Sequence, residues 1–309
     1  MPELPEVQTT VNGLQAHTVG FTIAEVWTDL AVKNPINQFK DTLKSSVFFE
    51  CFKKVVIGKK IIRVERRGKN ILIHLDNKTV ILVHLKMTGH MMMGKYTYEK
   101  KKNIWIVSPT EKNDALHDPY NRFVHVVWTL QKGKTEKQLV LCDSRKFAKV
   151  TLLSTTDDHK KHLGNIGPEP LDEVFTDKDF RDRLQKKMTG SIKTVLMNPE
   201  IVAGIGNIYS DELLWLSSIH PERKVKDISP SEFKKMYTAM IEVLKKGIDF
   251  GGDSTSDYRN ILGEKGKFHG KHNVYRETKK PCKKKGCGGF IERKMVGSRS
   301  AHFCPVHQS

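Results

Sequence analysis

The 309-residue chain contains no uninterrupted apolar run of the ~18 residues that a membrane-spanning helix needs. Its N-terminus lacks a basic stretch leading into an apolar one, so we expect no signal peptide. Internal repeats are also missing. Hydrophobic residues nevertheless make up 38% of the chain, and the mean hydropathy is −0.47. We therefore expect a soluble, cytosolic protein with a true core, and its length predicts two domains with a small appendage.

Acidic residues are in the minority in this sequence. Asp and Glu number 35 against 53 Lys and Arg, which gives a formal net charge of +18 and a pI near 9.6. So large a basic excess favours an acidic polymer as partner, most often a nucleic acid, over a protein that is merely basic and soluble. A membrane surface fits less well, because no basic amphipathic helix with aromatic anchors stands out.

Cysteine is scarce, with five residues in the whole chain. Cys51 and Cys142 stand alone within apolar stretches, which predicts two buried thiols. The other three cysteines lie in the last 28 residues. Such clustering in an intracellular chain favours a metal site over disulfides.

The C-terminal spacing is Cys282-x4-Cys287, then sixteen residues, then Cys304-x2-His307. Two close pairs at this separation are typical of one structural zinc ion with tetrahedral sulfur and nitrogen ligands. His302 is the alternative fourth ligand, although the x2 spacing favours His307. The segment between the pairs, 288–303, predicts a β-hairpin with Arg299 near its end. Metal binding would supply the folding energy of so small a unit.

The first half of the chain has mostly β-strand patterns after an N-terminal helix over 3–17. Runs of β-branched and alternating residues predict the strands listed here: 55–57, 71–75, 80–84, 105–107 and 123–130. A hairpin is predicted to join 138–143 to 147–153, with 144–146 at its tip. This half is long enough to close into a β-sandwich.

After the proline-rich hinge GPEP at 167–170, the hydrophobic period becomes helical. The predicted helices are 177–186, 191–197, 207–217 and 230–248. Residues 251–280 are rich in Gly, Lys and polar residues, which predicts an exposed loop and a basic lead-in to the metal site. The sequence thus predicts an α+β fold: a β-sandwich with flanking helices, a helical domain and a C-terminal zinc-bearing β-hairpin.

The glycines of Ala203-Gly204-Ile205-Gly206 precede the third of these helices, and Asn207 stands at its start. Free backbone N–H groups and the positive end of the helix dipole make such an end suitable for a phosphate. An ordinary Asn cap after a tight turn is the alternative.

Seven short motifs occur in a distinctive order along the sequence. They are MPELPEV at 1–7, RRGK at 66–69, HLKMTG at 84–89, DSRKF at 143–147, GPEPL at 167–171, AGIGNIY at 203–209 and RSAHFCP at 299–305. With them the chain resembles the formamidopyrimidine-DNA glycosylases (Fpg) of the Fpg/Nei family, over nearly its whole length. The resemblance implies an N-terminal catalytic domain at 1–160, a hinge at 161–172, a helix–two-turns–helix DNA-binding domain with a lesion loop at 173–265, and a zinc finger at 266–309.

The resemblance also implies a bifunctional DNA glycosylase and AP lyase of base excision repair. Once Met1 is removed, the secondary amine of Pro2 would attack C1′ of the damaged nucleoside and form a Schiff base, followed by β,δ-elimination. Glu3 would be the general acid/base at the sugar ring oxygen. Lys69, expected on a strand, would reach a phosphate at the lesion and assist catalysis. We also expect Arg299 to belong to the catalytic residues.

Further residues match the DNA contacts of the family. His84, Asn207 and Arg299 resemble its phosphate-binding residues, which would pinch the backbone and help to extrude the nucleotide. Glu6 would position the site, with an ordinary first-turn carboxylate as the alternative. The void left by the extruded base would be filled by three residues: Met87, Arg145 and Phe147. Plain core positions are the alternative for Met87 and Phe147.

The opening PELPE at 2–6 resembles the Fpg branch, which implies oxidised purines (8-oxoguanine and formamidopyrimidines) in double-stranded DNA, or abasic sites, as substrates. The loop 252–258 resembles its lesion-covering loop. Oxidised pyrimidines, or DNA binding without catalysis, are the alternatives. We expect a monomer in the cytoplasm, associated with the nucleoid through DNA.

The chain departs from the family pattern at three positions and in two stretches. His307 stands in place of a cysteine ligand, Ala148 in place of a glycine and Phe123 in place of a histidine. The stretches 36–57 and 96–120 are longer than is typical, and we interpret them as loops or extra elements of the β domain.

Overall fold

The computed structural model describes residues 1–255 and 257–309, which divide into two compact units. Unit 1 comprises Met1–Pro2, Glu6–Gly164 and Gly251–Gly266. Unit 2 comprises Glu3–Pro5, Asn165–Phe250 and Lys267–Ser309. The chain therefore passes between the units five times, and one of these passages falls within the hinge expected at 161–172. The finer domain limits given above stay predictions.

Unit 1 is built on two four-stranded antiparallel sheets. Helix α1 (Leu4–Thr18) precedes them, and α2 (Ser46–Val56) and α3 (Thr156–Leu163) flank them. The strands are β1 (Thr22–Thr28), β2 (Ile61–Arg67), β3 (Asn70–Leu75), β4 (Val80–His84), β5 (His90–Gly94), β6 (Tyr96–Glu99), β7 (Ile104–Val107), β8 (Val124–Lys132), β9 (Thr135–Cys142) and β10 (Lys149–Leu153). Their order is β1-β8-β9-β5 in one sheet and β10-β4-β3-β2 in the other, with β6 and β7 as a separate pair.

One hydrophobic core joins these two sheets. It includes Trp128 and Leu141 from the first sheet and Ile73 and Val83 from the second, all almost fully buried. Alternate residues along each strand enter this core, as the two-residue period of a strand requires. The predicted β-sandwich with flanking helices is therefore confirmed.

The strand predicted at 55–57 is wrong, because these residues lie in and directly after the last turn of α2. Ser45 caps this helix by accepting the N–H of Phe48, and Phe52 and Val56 are buried on one face. The prediction that Cys51 is buried is also wrong. It lies one turn after Val47, which is 77% exposed, on the outer face of the helix. Cys142 is buried, as predicted.

The predicted hairpin over 138–153 is wrong in its pairing, although both of its strands form. Strand β9 pairs with β8 and β5, whereas β10 pairs with β4 in the other sheet. Residues 143–148 therefore connect the two sheets and do not form a hairpin tip. Such a connection leaves its side chains free to serve a site without disturbing a strand ladder.

Unit 2 contains four helices and a β-hairpin. The helices are α4 (Asp177–Leu184), α5 (Ile192–Leu196), α6 (Asn207–Ser217) and α7 (Pro230–Asp249), and the hairpin consists of β11 (Glu292–Val296) and β12 (Arg299–Phe303). All four helices were predicted from their period, and α7 begins with a capping box between Ser229 and Glu232. Leu4, Tyr209, Leu213 and Met240 contribute to one core.

The interpretation of 251–280 as an exposed loop is wrong for several of its side chains. Tyr258, Arg259 and Ile261 are buried, and so are Phe268 and Val274. These residues follow no helix or strand period, so the sequence pattern gave no sign of their burial.

Neither α7 nor any other helix in 1–255 and 257–309 has the length and apolarity needed to cross a membrane.

Candidate active site and metal centre

The expected site residues fall into both units. Unit 1 holds Pro2, Glu6, Lys69, His84, Met87, Arg145 and Phe147, and unit 2 holds Glu3, Asn207, Arg299 and the four candidate metal ligands. Pro2 is buried, while Met1 before it is 38% exposed.

In unit 2, the carboxylate of Glu3 lies at the N-terminus of α6. Its Oε1 accepts the backbone N–H of Ile208 at 2.9 Å, and its Oε2 accepts that of Tyr209 at 3.3 Å. We expected free N–H groups at this helix end, and this expectation is wrong for the N–H groups of Ile208 and Tyr209. A carboxylate from the start of the chain takes them, as the positive end of the helix favours. Asn207 is the first helical residue and is half-buried.

The two glycines before α6 allow this close approach. A Cβ on Gly206 would lie 2.3 Å from Cδ of Glu3, and a Cβ on Gly204 would lie 2.7 Å from Cβ of Leu4. Gly204 also has a φ of +83°, in the left-handed region that favours glycine. The backbone N–H of Leu4 donates to the carbonyl of Gly204 at 3.0 Å. The glycines thus serve the contact with residues 3 and 4.

In unit 1, Lys69 lies in a tight turn and not on a strand as expected. Arg67 and Asn70 are paired across β2 and β3, which leaves Gly68 and Lys69 as a two-residue connection. Gly68 has a φ of 57°, the conformation that such hairpin turns require at this position. The Arg66 side chain donates to the carbonyl of Gly68 at 3.0 Å, so the turn before Lys69 is held firmly.

His84 ends β4 and is directly opposite Asn70 on β3 and Lys149 on β10. Its Nδ1 accepts the backbone N–H of Lys86 at 3.0 Å. Burial, with the positive charges of Lys86, Lys69 and Lys149, lowers the pKa of this imidazole to about 3. His84 is therefore neutral near pH 7, with its proton on Nε2 available as a donor.

Met87, Arg145 and Phe147 lie on two loops that Asp143 ties together. Oδ1 of Asp143 accepts the Thr88 hydroxyl and the backbone N–H of Arg145, the latter at 3.2 Å. Its Oδ2 accepts the backbone N–H of Ala148 at 2.6 Å. Asp143 lies within the DSRKF motif, for which no role of this residue was predicted. An Asp that opens a turn is the signal that identifies it.

Phe147 is 46% exposed, so it is not a core residue. The Arg145 guanidinium lies 4.6 Å from the centroid of its ring, in a cation–π contact. Met87 is half-buried. Ala148, where the family has glycine, is buried and keeps its hydrogen bond to Asp143. The carbonyl of Phe123, which stands where the family has histidine, accepts the N–H of Asp143 at 2.9 Å. Phe123 therefore also contacts the segment 143–148 that connects the two sheets.

Glu6 is almost fully buried and anchors the start of the loop 252–258. Its Oε1 accepts the N–H of Asp253 at 2.7 Å, and the Tyr258 hydroxyl donates to its backbone carbonyl at 3.0 Å. The alternative of an ordinary first-turn carboxylate does not account for this contact. Ser256, within the expected lesion loop, lies outside the described residues.

The candidate metal centre combines Cys282, Cys287, Cys304 and His307, whose ligand atoms lie within 4.8 Å of one another. Nδ1 of His307 is 3.3 Å from Sγ of Cys282, and the sulfurs of Cys287 and Cys304 are 3.5 Å apart. Tetrahedral zinc, with ligands at ~2.0–2.3 Å, requires separations of about this size. Nε2 of His307 bonds the carbonyl of Trp215 at 3.1 Å, which turns Nδ1 towards the sulfurs.

His302 is not part of the centre, because Asp211 holds it. Oδ2 of Asp211 accepts the His302 backbone N–H at 3.0 Å and contacts its Nδ1 at 2.9 Å. Asp211 also forms a buried ion pair with Lys193. His307, and not His302, therefore lies with the three cysteine sulfurs in the candidate centre. Arg299 is exposed at the start of β12.

Glu212, the next residue on α6, accepts the backbone N–H groups of Asn273, Val274 and Tyr275 at 2.9–3.0 Å. Neither Asp211 nor Glu212 was predicted as a site residue, because their partners are distant in the chain. The two carboxylates attach the C-terminal segment of unit 2 to the helix that also holds Glu3.

Two family models match the chain. The formamidopyrimidine-DNA glycosylase N-terminal domain matches residues 1–150, and the formamidopyrimidine-DNA glycosylase H2TH domain matches residues 166–259. A formamidopyrimidine-DNA glycosylase from Herpetosiphon aurantiacus is 34% identical over 313 residues, with 100% of both chains covered. One from Enterococcus faecalis is 35% identical over 309 residues, covering 100% of this chain and 97% of its own.

Solved structures give the same result. Lactococcus lactis Fpg in complex with DNA containing an abasic site has a TM-score of 0.80 and 32% identity, covering 99% of each chain. A variant of that protein with DNA containing Fapy-dG also has a TM-score of 0.80 and 32% identity, covering 100% of each chain. The chain therefore belongs to the formamidopyrimidine-DNA glycosylase family of DNA-repair glycosylases.

Proposed function

We propose that this protein is a bifunctional DNA glycosylase and AP lyase. It removes 8-oxoguanine and formamidopyrimidines from double-stranded DNA and nicks the strand at the resulting abasic site by β,δ-elimination. The observation that carries the proposal is the fixed carboxylate of Glu3, directly after Pro2, on the N-terminal N–H groups of α6. The relatives support DNA as the partner, because solved neighbours hold DNA with an abasic site or Fapy-dG.

Pro2 is the nucleophile in this proposal. Removal of Met1 exposes a secondary amine, whose nitrogen attacks C1′ while the glycosidic bond breaks and the base leaves with a proton. The nitrogen loses its own proton, and the C1′–O4′ bond breaks as Glu3 protonates O4′. The product is an iminium ion between Pro2 and the opened sugar. Loss of a C2′ proton then expels the 3′ phosphate, a second elimination expels the 5′ phosphate, and water releases the remnant from Pro2.

The remaining site residues bind DNA in this proposal. Lys69 and Arg299 bind phosphates as cations, whereas Asn207 and the neutral His84 donate hydrogen bonds. Met87, Arg145 and Phe147 enter the duplex where the damaged nucleotide has left it. The Asp143 contacts support this last role, because they hold the two loops while leaving Phe147 and Arg145 exposed.

We assign one structural Zn²⁺ to Cys282, Cys287, Cys304 and His307. The donor set of three sulfurs and one nitrogen fits zinc, and their separations support a closed tetrahedral site. When bound, the ion supplies folding energy to the β11–β12 hairpin and takes no part in the reaction. The hairpin carries Arg299, so the metal acts on DNA binding through this strand.

We expect the protein to act as a monomer in the cytoplasm, on nucleoid DNA.

Borohydride trapping tests the chemistry. The wild-type chain should form a covalent adduct with duplex DNA containing 8-oxoguanine opposite cytosine. A variant with two residues inserted between Met1 and Pro2 is the matched control. It loses the free amine of Pro2 and should give no adduct while still binding the duplex.

The substrates separate the alternatives. An adduct with oxidised-pyrimidine DNA and none with 8-oxoguanine DNA would show that the protein acts on oxidised pyrimidines and not on oxidised purines. No adduct with either lesion or with an abasic site would leave a non-catalytic DNA-binding protein. The mass of the mature N-terminus is measured in parallel, since retained Met1 contradicts the mechanism.

A further inference from the structure

We propose that Lys149, flanked by Lys86 and Lys44, forms a second phosphate-binding site in unit 1. It would bind a backbone phosphate of DNA beyond the one proposed for His84. The proposal rests on the proposed function only in taking DNA as the ligand, and it needs no catalysis.

The strand register supplies the geometry of this site. Asn70, His84 and Lys149 are direct neighbours across β3, β4 and β10, at the same end of three adjacent strands. Directly opposite residues of antiparallel strands share a face of the sheet, with Cβ atoms ~4.5–5.5 Å apart. The row therefore extends ~10 Å from β3 to β10, at ~4.8 Å per strand. Lys69 precedes Asn70, and Lys86 follows His84 by two residues.

In the described part of the chain, Lys149 in this row, and Lys86 and Lys44 beside it, form no ion pairs. Among residues 1–255 and 257–309, no carboxylate forms an ion pair with Lys149, Lys86 or Lys44. Lys149 contacts Nδ1 of His162 at 3.1 Å, and Lys44 donates to the carbonyl of Lys146 at 2.6 Å, so their hydrogen-bond partners are uncharged acceptors. Burial lowers the pKa of His162, which keeps that imidazole a neutral acceptor.

Nearby lysines outside the row differ in this respect. Lys161 pairs with Asp41, and Lys146 pairs with Asp29. These two lysines are paired with carboxylates, whereas, among the described residues, Lys149, Lys86 and Lys44 are not.

Mutual repulsion supports the same conclusion. Burial lowers the pKa of Lys149, and the charges of Lys86 and Lys161 lower it further, against a smaller opposing effect of Asp41. Burial also lowers the pKa of Lys44; the Asp143 carboxylate opposes this shift, and the charge of Lys86 adds to it. Partly buried cations that repel one another are stabilised when an anion binds between them. A single phosphate cannot cover ~10 Å, whereas a DNA strand places one charge per ~3.4 Å of helix axis. Consecutive backbone phosphates are therefore the ligand that fits the row.

Salt-dependent binding of an undamaged duplex tests this site separately from base excision. Lys149→Gln should lower the log–log salt slope by ~0.9 and weaken binding about eightfold near 0.1 M salt. Lys149→Arg keeps the charge and should bind like wild type. Lys134→Gln removes the same charge from the exposed β8–β9 turn and should leave the slope unchanged. Equal slopes for Lys149→Gln and Lys134→Gln would overturn the proposal.

Methylphosphonate scanning identifies the phosphate. In wild type, neutralising one phosphate next to the His84 contact should weaken binding, and the same change should have no effect in Lys149→Gln. If every neutral linkage weakens both proteins equally, Lys149 contacts no phosphate and the proposal is wrong. Failure of the proposed function is a different result, since wild type itself would then fail to bind DNA or to form the borohydride adduct.

Discussion

The backbone N–H of Ile208 donates to Oε1 of Glu3 at 2.9 Å, across 205 residues of sequence. The same carboxylate that we propose as acid and base therefore also satisfies the N-terminus of a buried helix. These two tasks need different properties of the side chain. An acid/base must exchange a proton, whereas a helix cap needs only an oxygen acceptor.

Substitutions of Glu3 should separate the two tasks. Glu3→Gln keeps one carbonyl acceptor, so we expect a loss of stability of about 1 kcal/mol or less and a loss of base excision of at least about 100-fold. Glu3→Ala removes both acceptors and should cost about 1–2 kcal/mol besides the activity. Thermal unfolding and single-turnover excision on 8-oxoguanine duplex measure these effects. Full activity in Glu3→Gln would remove Glu3 from the chemistry.

Asp143 should be necessary for base extrusion although it contacts no DNA in our proposal. Asp143→Ala leaves the buried N–H of Ala148 without its acceptor and releases Thr88, which should cost about 2–4 kcal/mol. We expect excision to fall more than binding of an abasic-site duplex, because the loops of Met87 and Phe147 lose their common anchor. Ser144→Ala, which removes only the contact with Asp257, is the matched control and should stay close to wild type.

Metal content should depend on His307 and not on His302. Metal-to-protein ratios from mass spectrometry should approach one for wild type, His302→Ala and His307→Cys, and fall in His307→Ala. Chelation should abolish duplex binding while circular dichroism keeps most of its β signal, because the dependent segment is small. Loss of metal in His302→Ala would show that the described geometry misses a ligand.

Arg299 should contribute one phosphate contact. Arg299→Ala is expected to lower the log–log salt slope of duplex binding by about 1 and to weaken binding for all sequences alike. Arg293→Ala removes an equal charge from the neighbouring strand of the same hairpin and should leave the slope as it is. An unchanged slope in Arg299→Ala removes this residue from the phosphate contacts.

The pH dependence of His84 follows from its low pKa. The folded imidazole stays neutral down to about pH 3, whereas the unfolded chain takes up a proton near 6.5. Acidification between these values therefore destabilises the fold, and His84→Gln should reduce this pH dependence. Above pH 6 the contribution of His84 to duplex affinity should not vary. A contribution that grows as pH falls from 8 to 6 would identify a charged imidazole instead.

Local patterns in the sequence predict the elements of this fold but not all of their partners. The start of α6 at Asn207 follows from two glycines and an apolar period of 3.6 residues, both within one window. The occupant of that helix end, Glu3, cannot be inferred locally, because it lies at the other end of the chain. The same limit explains the wrong hairpin over 138–153, since strand patterns do not specify which strand is the neighbour.

Short apolar runs were ambiguous for a different reason. Val55 and Val56 have side chains that favour strands, yet Phe48, Phe52 and Val56 recur at the four-residue spacing of a helix face. Packing of that face decides the structure, and it carries Cys51 outward. The four residues of the candidate metal centre could be proposed from sequence because they form two close pairs, with His302 as the alternative to His307. Asp143 opens a turn, which is a local signal, but its contact with Thr88 is distant in the chain, and so are the contacts of Asp211 with Lys193 and His302.

The five passages of the chain between units have a consequence for recombination. Residues 3–5 belong to the unit whose other segments begin at Asn165, and Leu4 is fully buried in its core. No single crossover point separates the halves, so a chimaera that exchanges 165–309 between relatives must also exchange 3–5 and retain 251–266. Each unit is thus built from segments that are distant in the sequence, so exchange of one continuous segment would leave one unit with parts of both parents.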